Sequence, residues 1–209
     1  INVMNGIKDV IKKVKPDIVL VHGDTSTTFA TALACFYLKI PVGHVEAGLR
    51  TYNIDSPFPE EFNRQAVGIV AKYNFAPTEK AKENLIKEGK KADTIYVTGN
   101  TAIDALKTTI KDNYYHKEFD WIGNSKLILI TAHRRENIGK PMHNMFRAIR
   151  RIVEEYSNIR VIYPIHMNPA VRQIASEELG NCENIHIIEP LDVIDFHNFM
   201  KKSYLILTD

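Results

Sequence analysis

The sequence is poor in the features that mark several large classes of protein. Its two cysteines, Cys35 and Cys182, form neither a C-x-x-C pair nor a disulfide framework, so we expect a cytoplasmic protein. No apolar run approaches the roughly 20 residues of a membrane-spanning helix. The formal net charge is only +2 and no long basic run occurs, so we expect neither a nucleic-acid nor a membrane partner.

Motifs for nucleotide cofactors and metals are missing as well. Neither G-x-G-x-x-G nor G-x-x-x-x-G-K-[ST] occurs, and no tyrosine has the lysine four residues later that a short-chain nicotinamide-dependent epimerase needs. Gly-Asp and Gly-Asn pairs after predicted strands are typical of metallophosphoesterases. His22, Asp24 and His44 nevertheless fall short of a complete ligand set. We expect no cofactor and no metal.

What the sequence does contain is a regular alternation of short apolar runs and amphipathic stretches. Nearly continuous apolar runs predict parallel strands covered on both faces at residues 17–23, 41–47, 73–76, 94–98, 126–131, 160–164, 184–188 and 204–208. Helical spacing predicts helices at residues 26–38, 60–72, 78–88, 101–111, 142–156, 169–179 and 193–201. This alternation indicates an α/β fold with two Rossmann-like, doubly wound parallel-sheet domains.

The polar stretch DNYYHKEFDWIGNS interrupts the alternation at residues 112–125. We interpret residues 114–125 as a linker whose aromatic side chains pack between two domains. The predicted domains are therefore residues 1–113 and residues 126–209, at least one of them incomplete. The chain opens in a helical pattern without an initiator methionine, and we expect it to be part of a longer protein.

Ionisable residues follow the predicted strands, where open parallel sheets bind their ligands. Asp24 follows the first strand, Glu46 lies in the apolar run VGHVEAG, and Glu60 opens the next helix. A carboxylate with apolar neighbours must be paired or lie at the mouth of a cavity, so Glu46 is the strongest candidate. Asp24 could instead cap a helix. Glu60 and Glu61 could simply stabilise the positive end of a helix, and Glu60 could pair with Arg64.

A second group of ionisable residues occurs in the C-terminal half. His133, Arg134 and Arg135 lie in a strand-to-helix loop, where main-chain N–H groups and the helix dipole favour anions. His166 follows the next predicted strand. Either histidine could equally be a structural residue.

The segments HGDTSTTFATALACFYLKIPVGHVEAGLRT, SPFPEEFNRQ, TGNTAIDAL, TAHRREN, YPIHMNP and DFHNFMKKSYLILTD resemble the non-hydrolysing UDP-N-acetylglucosamine 2-epimerases. The resemblance covers nearly the whole chain. It implies a glycosyltransferase-B-like arrangement, interconversion of UDP-GlcNAc and UDP-ManNAc for cell-surface polysaccharides, and a homodimer. The family's N-terminal Gly-Thr-Arg-Pro-Glu loop and its later Ser-Gly-Gly turn have no match here. We therefore expect the fragment itself to be weakly active or inactive.

The resemblance also implies the reaction and its catalytic residues. Elimination of UDP would give 2-acetamidoglucal, and re-addition of UDP would follow with protonation from the opposite face. Asp24, Glu46 and Glu60 would carry this proton chemistry, with base and acid unassigned. His133 would act with them, binding the phosphates and stabilising the leaving group.

Further binding residues follow from the same resemblance. Arg134 and Arg135 would support phosphate binding, Phe196 would lie beside the uracil, and Leu191 would offer main-chain contacts there. His166 matches a position that lines a regulatory UDP-GlcNAc site. Three alternatives stay open: a hydrolysing epimerase that releases ManNAc and UDP, a metal-dependent phosphoesterase, and a non-catalytic nucleotide-sugar binding module.

Overall fold

The computed structural model describes residues 2–209 and confirms the predicted α/β fold with two Rossmann-like parallel sheets. The strands are β1 (Val19–His22), β2 (Val42–Val45), β3 (Tyr73–Ala76), β4 (Ile95–Val97), β5 (Lys126–Thr131), β6 (Ile159–Pro164), β7 (Ile185–Ile188) and β8 (Leu205–Thr208). The helices are α1 (Asn2–Val14), α2 (Ser26–Tyr37), α3 (Glu60–Val70), α4 (Glu79–Lys87), α5 (Thr101–Thr109), α6 (Lys117–Ile122), α7 (Lys140–Glu155), α8 (Pro169–Leu179) and α9 (Val193–Lys202). Every predicted strand and helix is present, with ends that differ by a few residues. No helix within residues 2–209 is long and apolar enough to cross a membrane.

The first compact unit ends at Asp104 and contains a sheet with strand order β1-β2-β3-β4. Val21, His44 and Asn74 are register neighbours on its covered face. The core on that face joins the sheet to α1, α2 and α3 through Ile11, Val21, Ala32, Cys35, Val42, Val67 and Ala71. On the opposite face Leu20 is 61% exposed and Tyr96 is 46% exposed. The expectation of cover on both faces is therefore wrong for this sheet within the described residues.

The second compact unit is Ala105–Asp209, and its sheet has strand order β7-β6-β5-β8. Both faces are covered, as is usual for parallel sheets. One face packs against α7 and α8 through Ile128, Ile130, Phe146, Val153, Val161, Tyr163, Val171 and Leu179. The other packs against α6 and α9 through Ile122, Leu127, Leu129, Ile162 and Phe199.

The division between the units differs from the predicted one. It falls inside α5, whereas the sequence suggested a boundary at residue 113 and a linker at 114–125. Part of that stretch forms α6, whose Ile122 is 1% exposed and lies in the core of the second unit together with Phe199. Asn198 of α9 also donates to the Thr109 oxygen at 2.9 Å and accepts from the Lys111 N–H at 2.9 Å. Residues 114–125 thus belong to the second unit, because their aromatic side chains complete its core.

Gly48 and Gly6 provide a matched test of the packing in the first unit. Gly48 has φ +89°, and a Cβ there would lie 2.3 Å from the Ala81 oxygen, whereas a Cβ at Gly6 meets nothing within 4 Å. We expect Gly48→Ala to lower the free energy of unfolding by at least ~2 kcal/mol, because strain and a backbone clash add. Gly6→Ala should raise it by about 0.5–1 kcal/mol through helix propensity. Chemical denaturation measures both, and equal effects would contradict this packing.

Candidate functional site

The carboxyl ends of β1 and β2 bring two of the predicted acidic residues to one edge of the first sheet. Asp24 directly follows Gly23, which has φ +69°. Glu46, just after β2, also has a positive φ of 68°, a conformation that is costly for a residue with a side chain. Its Oε2 lies 3.3 Å from His22 Nε2, and Thr101 Oγ1 lies 3.2 Å from the same nitrogen. A Cβ on Gly23 would lie 3.8 Å from Glu46 Oε2, so the turn before Asp24 adjoins Glu46.

Asp24 is held by helix α3 and does not cap α2. The N-cap of α2 is Thr25, so the interpretation of Asp24 as a helix cap is wrong. Asp24 Oδ2 lies 2.9 Å from the guanidinium Nη2 of Arg64, whose side chain is only 12% exposed. The Asn63 side chain donates to the main-chain oxygen of Asp24 at 2.9 Å. One turn of α3 therefore orients both the carboxylate and the backbone of this residue.

Glu60 and Glu61 are adjacent in sequence but differ in their surroundings. Glu61 is fully buried and accepts main-chain N–H groups from Thr51 and Tyr52 at 3.0 Å each, and the Gln65 side chain at 2.8 Å. Burial by itself raises the pKa of Glu61, but these hydrogen bonds outweigh it, so its pKa lies below the usual value. Glu61 therefore anchors the loop that follows β2.

Glu60 keeps its carboxylate unpaired within the described residues, although it is half-buried. The alternative that Glu60 pairs with Arg64 is wrong. Arg64 points to Asp24 at 2.9 Å and to Glu61 at 3.5 Å. Since α3 begins at Glu60, this carboxylate is placed at the positive end of a helix dipole, where negative charge is favoured.

A cavity of about 440 Å³ opens beside Glu46. Its walls mix polar side chains with apolar ones and include Leu49, Thr78, Thr98, Asn100 and Ile103. Hydroxyl and amide groups between apolar surfaces are typical of pockets that bind small polar ligands. Glu46 thus lies at the mouth of a cavity, one of the two situations that explain a carboxylate in an apolar run.

His44 is buried behind this edge, with 1% of its surface exposed. Its Nε2 lies 2.8 Å from the Gly23 oxygen. Burial lowers the pKa of His44 to about 4, although the hydrogen bond to Gly23 acts in the opposite direction, and Arg50 and His22 lower it further. No group of three or more His, Cys, Asp or Glu side chains within residues 2–209 is arranged to hold a metal ion.

In the second unit, the loop after β5 is organised by a carboxylate at the end of β8. Asp209 Oδ2 accepts the N–H groups of His133 at 3.1 Å and Arg134 at 2.8 Å, and the side-chain amide of Asn137 at 3.3 Å. Burial raises the pKa of Asp209, but these hydrogen bonds outweigh it and hold the pKa below its usual value. The side chains of His133, Arg134 and Arg135 are exposed, so the loop is fixed by its backbone and presents its cations to solvent.

The other predicted binding residues follow β6 and β7 at the same edge of the second sheet. The rings of His166 and His133 are 5.4 Å apart between centroids, so the structure brings these two together. Leu191 and Phe196 flank Asp192, the N-cap of α9, and both pack partly against the core that contains Phe199. Their side chains are therefore only partly available to a ligand.

Sequence reasoning did not predict that three residues organise these sites. Arg64 and Glu61 hold Asp24 and the loop after β2, and Asp209 holds the loop of His133. The spacing of Glu61, Arg64 and Gln65 in EEFNRQ places them on one face of a helix, which was a usable signal. Their partners are distant in sequence, however, and no spacing rule identifies them.

Comparisons with known proteins identify the family of this chain and the fold that it shares with solved relatives. The family model described as UDP-N-acetylglucosamine 2-epimerase matches residues 1–209. The chain is 61% identical over 208 residues to UDP-N-acetylglucosamine 2-epimerase of Bacillus subtilis strain 168, covering 100% of this chain and 55% of that protein. The chain therefore spans little more than half the length of this curated relative.

Solved structures give the same result. The S. aureus MnaA-UDP co-structure is 57% identical with a TM-score of 0.97, and the match covers 100% of this chain and 57% of that one. The crystal structure of UDP-GlcNAc 2-epimerase from Neisseria meningitidis bound to UDP-GlcNAc is 45% identical with a TM-score of 0.92. That match covers 100% of this chain and 58% of the Neisseria chain.

Replacing Glu61 by glutamine tests its role as an anchor. Glu61→Gln should lower the free energy of unfolding by about 2 kcal/mol, because an amide group then faces buried main-chain donors. The folded-state pKa of Glu61 is depressed, so its contribution is complete above the unfolded pKa of about 4.3 and is lost as the pH falls through the folded pKa. The variant should lose stability less steeply than wild type in acid. Glu83→Gln, at an exposed pair with Lys80, should change little.

The left-handed conformation of Glu46 predicts a conflict between stability and function at this residue. The free energy of unfolding of Glu46→Gly should be about 1 kcal/mol higher than that of Glu46→Ala, because only glycine adopts this φ without strain. Both variants lack the carboxylate, so the difference reports the backbone alone. Thermal and chemical unfolding measure it, and a more stable alanine variant would contradict the observed backbone.

Proposed function

Because the chain belongs to the UDP-N-acetylglucosamine 2-epimerase family, we propose that the full-length protein interconverts UDP-GlcNAc and UDP-ManNAc. The observation that carries the proposal is the carboxyl edge of the first sheet. There Glu46 faces a cavity of about 440 Å³, while Asp24 is oriented by Arg64 next to it. Carboxylates placed at a cavity are what proton transfer at a sugar carbon requires.

The chemistry of the substrate restricts the possible routes. The proton on C2 of the sugar is not adjacent to a carbonyl, so a base cannot remove it as an ordinary acidic proton. Elimination of UDP provides a route for removing this proton. A base takes the C2 proton, the bond from C1 to the UDP oxygen breaks, and a C1–C2 double bond forms. Re-addition of UDP at C1, with protonation of C2 from the opposite face, gives the epimer. No hydride is transferred at any step, so the route needs no redox cofactor.

The first unit supplies the carboxylates for this route. Glu46 and Asp24 lie at neighbouring strand ends, and Glu60 begins the helix that carries Arg64. We assign all three to proton transfer, on opposite faces of C2, and leave open which is the base and which the acid. The unpaired state of Glu60 supports its assignment, because a carboxylate already saturated by protein donors, such as Glu61, is a poor proton carrier.

The second unit supplies groups suited to a departing diphosphate. The loop of His133, Arg134 and Arg135 presents exposed cationic and hydrogen-bonding side chains from a backbone held by Asp209. Preorganised donors of this kind stabilise charge that develops on a leaving group. We therefore assign His133 to catalysis as well as to phosphate binding, with the two arginines in support.

The remaining assignments in the second unit rest mainly on the family. Phe196 is assigned to the uracil, with main-chain contacts from Leu191, and both side chains are partly buried against the core of the second unit. His166 is assigned to a regulatory nucleotide-sugar site, supported by its ring lying 5.4 Å from that of His133. We further propose that the protein acts as a homodimer.

Exchange of the C2 proton with solvent tests the reaction directly. We expect the full-length protein, incubated in D₂O without NAD or metal, to place deuterium at C2 of UDP-GlcNAc. Asp24→Asn, Glu46→Gln and Glu60→Gln should each slow this exchange by about 10²–10⁴-fold, because each removes a group that transfers a proton. NMR spectroscopy of the sugar measures the exchange. Recovery of fully protonated sugar after prolonged incubation with wild type would refute the proposal.

A control variant and product analysis separate the other possible functions. Glu83→Gln, on the exposed surface of α4, should exchange at the wild-type rate. Release of free ManNAc and UDP in step with exchange would indicate a hydrolysing enzyme. EDTA-sensitive release of phosphate would indicate a phosphoesterase, and binding of UDP without any exchange would indicate a binding module.

A further inference from the structure

His44 occupies a buried position that the proposed reaction does not use. It faces the covered side of the first sheet, with Asn74, which is fully buried, as its register neighbour on β3. His44 Nδ1 and both polar atoms of the Asn74 side chain have no hydrogen-bond partner among the described residues. Unpaired buried polar atoms cost folding free energy, so packing alone does not explain a histidine here.

The one hydrogen bond of His44 determines which ring nitrogen carries the proton. Nε2 lies 2.8 Å from the main-chain oxygen of Gly23. A carbonyl oxygen can only accept, so Nε2 donates and Nδ1 carries the free lone pair. Burial favours the uncharged ring, as do the neighbouring charges of Arg50, His22 and Arg64. His44 is therefore a neutral donor in the Nε2–H form near neutral pH.

The acceptor of this hydrogen bond lies between two residues assigned to catalysis. Gly23 has φ +69° and directly precedes Asp24, and a Cβ on it would lie 3.8 Å from Glu46 Oε2. His44 itself lies two residues before Glu46, at the end of β2. The turn carrying Asp24 is thus tied to β2 at Gly23 in two ways: its N–H donates to the Val45 oxygen at 3.0 Å, and its carbonyl accepts from the His44 side chain.

From this geometry we propose that His44 is a positioning residue, which holds the Gly23 peptide and thereby sets the placement of Asp24 relative to Glu46. His44 touches no reacting atom in this role. The role rests on the proposed function, because it concerns the geometry of the groups that transfer the proton. A shift of a catalytic group by about 1 Å can lower the rate by about 10²-fold. Loss of this one hydrogen bond would therefore lower the rate measurably.

Two amide substitutions test the role, because they differ in where they place a donor. The amide nitrogen of glutamine reaches the position of Nε2, whereas that of asparagine reaches only the position of Nδ1. In the full-length protein we expect His44→Gln to restore most of the wild-type kcat. His44→Asn should lower kcat by about 10- to 100-fold with little change in KM, since substrate contacts are unaltered. A purely structural role would affect both variants alike.

The tautomer of the ring gives a second test that is independent of turnover. A long-range ¹H–¹⁵N NMR spectrum should show an Nε2–H imidazole at pH 7, identified as His44 by its disappearance in His44→Gln. A ring protonated at Nδ1, or charged at that pH, would overturn the role. If His44→Asn does not fold, two results remain: an Nε2–H ring in the wild-type spectrum and a near-wild-type kcat for His44→Gln. The absence of either result would overturn the role of His44.

The assays also separate this inference from the proposed function. A wild-type protein that exchanges no C2 proton would overturn the function, and the role of His44 with it. Normal wild-type exchange together with equal losses of kcat in the two folded variants would overturn only the role of His44.

Discussion

The buried carboxylate of Glu61 is the constraint on which the candidate site depends. It accepts two main-chain N–H groups of the loop after β2, and it lies 3.5 Å from Arg64, which pairs with Asp24. A fully buried carboxylate is stable only when its oxygens are paired. The groups that pair with Glu61 are therefore held in place, and through them the loop, helix α3 and the turn after β1 take one relative position.

This arrangement separates structural carboxylates from those left free for chemistry. Glu61 in the first unit accepts protein donors on both oxygens and Asp209 in the second accepts three on one oxygen, and the pKa of each lies below its usual value. Each of these carboxylates fixes a loop. Next to Glu61, Glu60 stays accessible to solvent or a ligand, and in the loop held by Asp209, His133 does the same. The same physical device, a carboxylate that gathers main-chain N–H groups, thus organises both halves of the chain.

One residue at the same edge of the first sheet, Glu46, has a strained backbone with φ +68°. Gly23 and Gly48 also have positive φ there, which glycine adopts without strain, and Gly48 packs its backbone against the carbonyl of Ala81. Strain of this kind persists only where the surrounding structure determines the conformation, and it is common at functional sites. At Glu46, the side-chain Oε2 lies 3.3 Å from His22 Nε2, and the N–H of the next residue, Ala47, donates to the Phe75 oxygen at 3.0 Å. These contacts hold the strained residue at the edge of the sheet.

The sequence by itself determined the strand-and-helix alternation, the fold class and the residues at the strand ends, because these depend on local periodicity and on the rule that parallel strands end at one edge. It also singled out Glu46 as a candidate, since a carboxylate in an apolar run has few explanations. Only the tertiary structure decided that Arg64 pairs with Asp24 and not with Glu60, that residues 114–125 complete the second core, and that Asp209 holds the loop of His133. Those contacts join residues far apart in the chain, and the choice between competing partners depends on burial and distance, which no local pattern records.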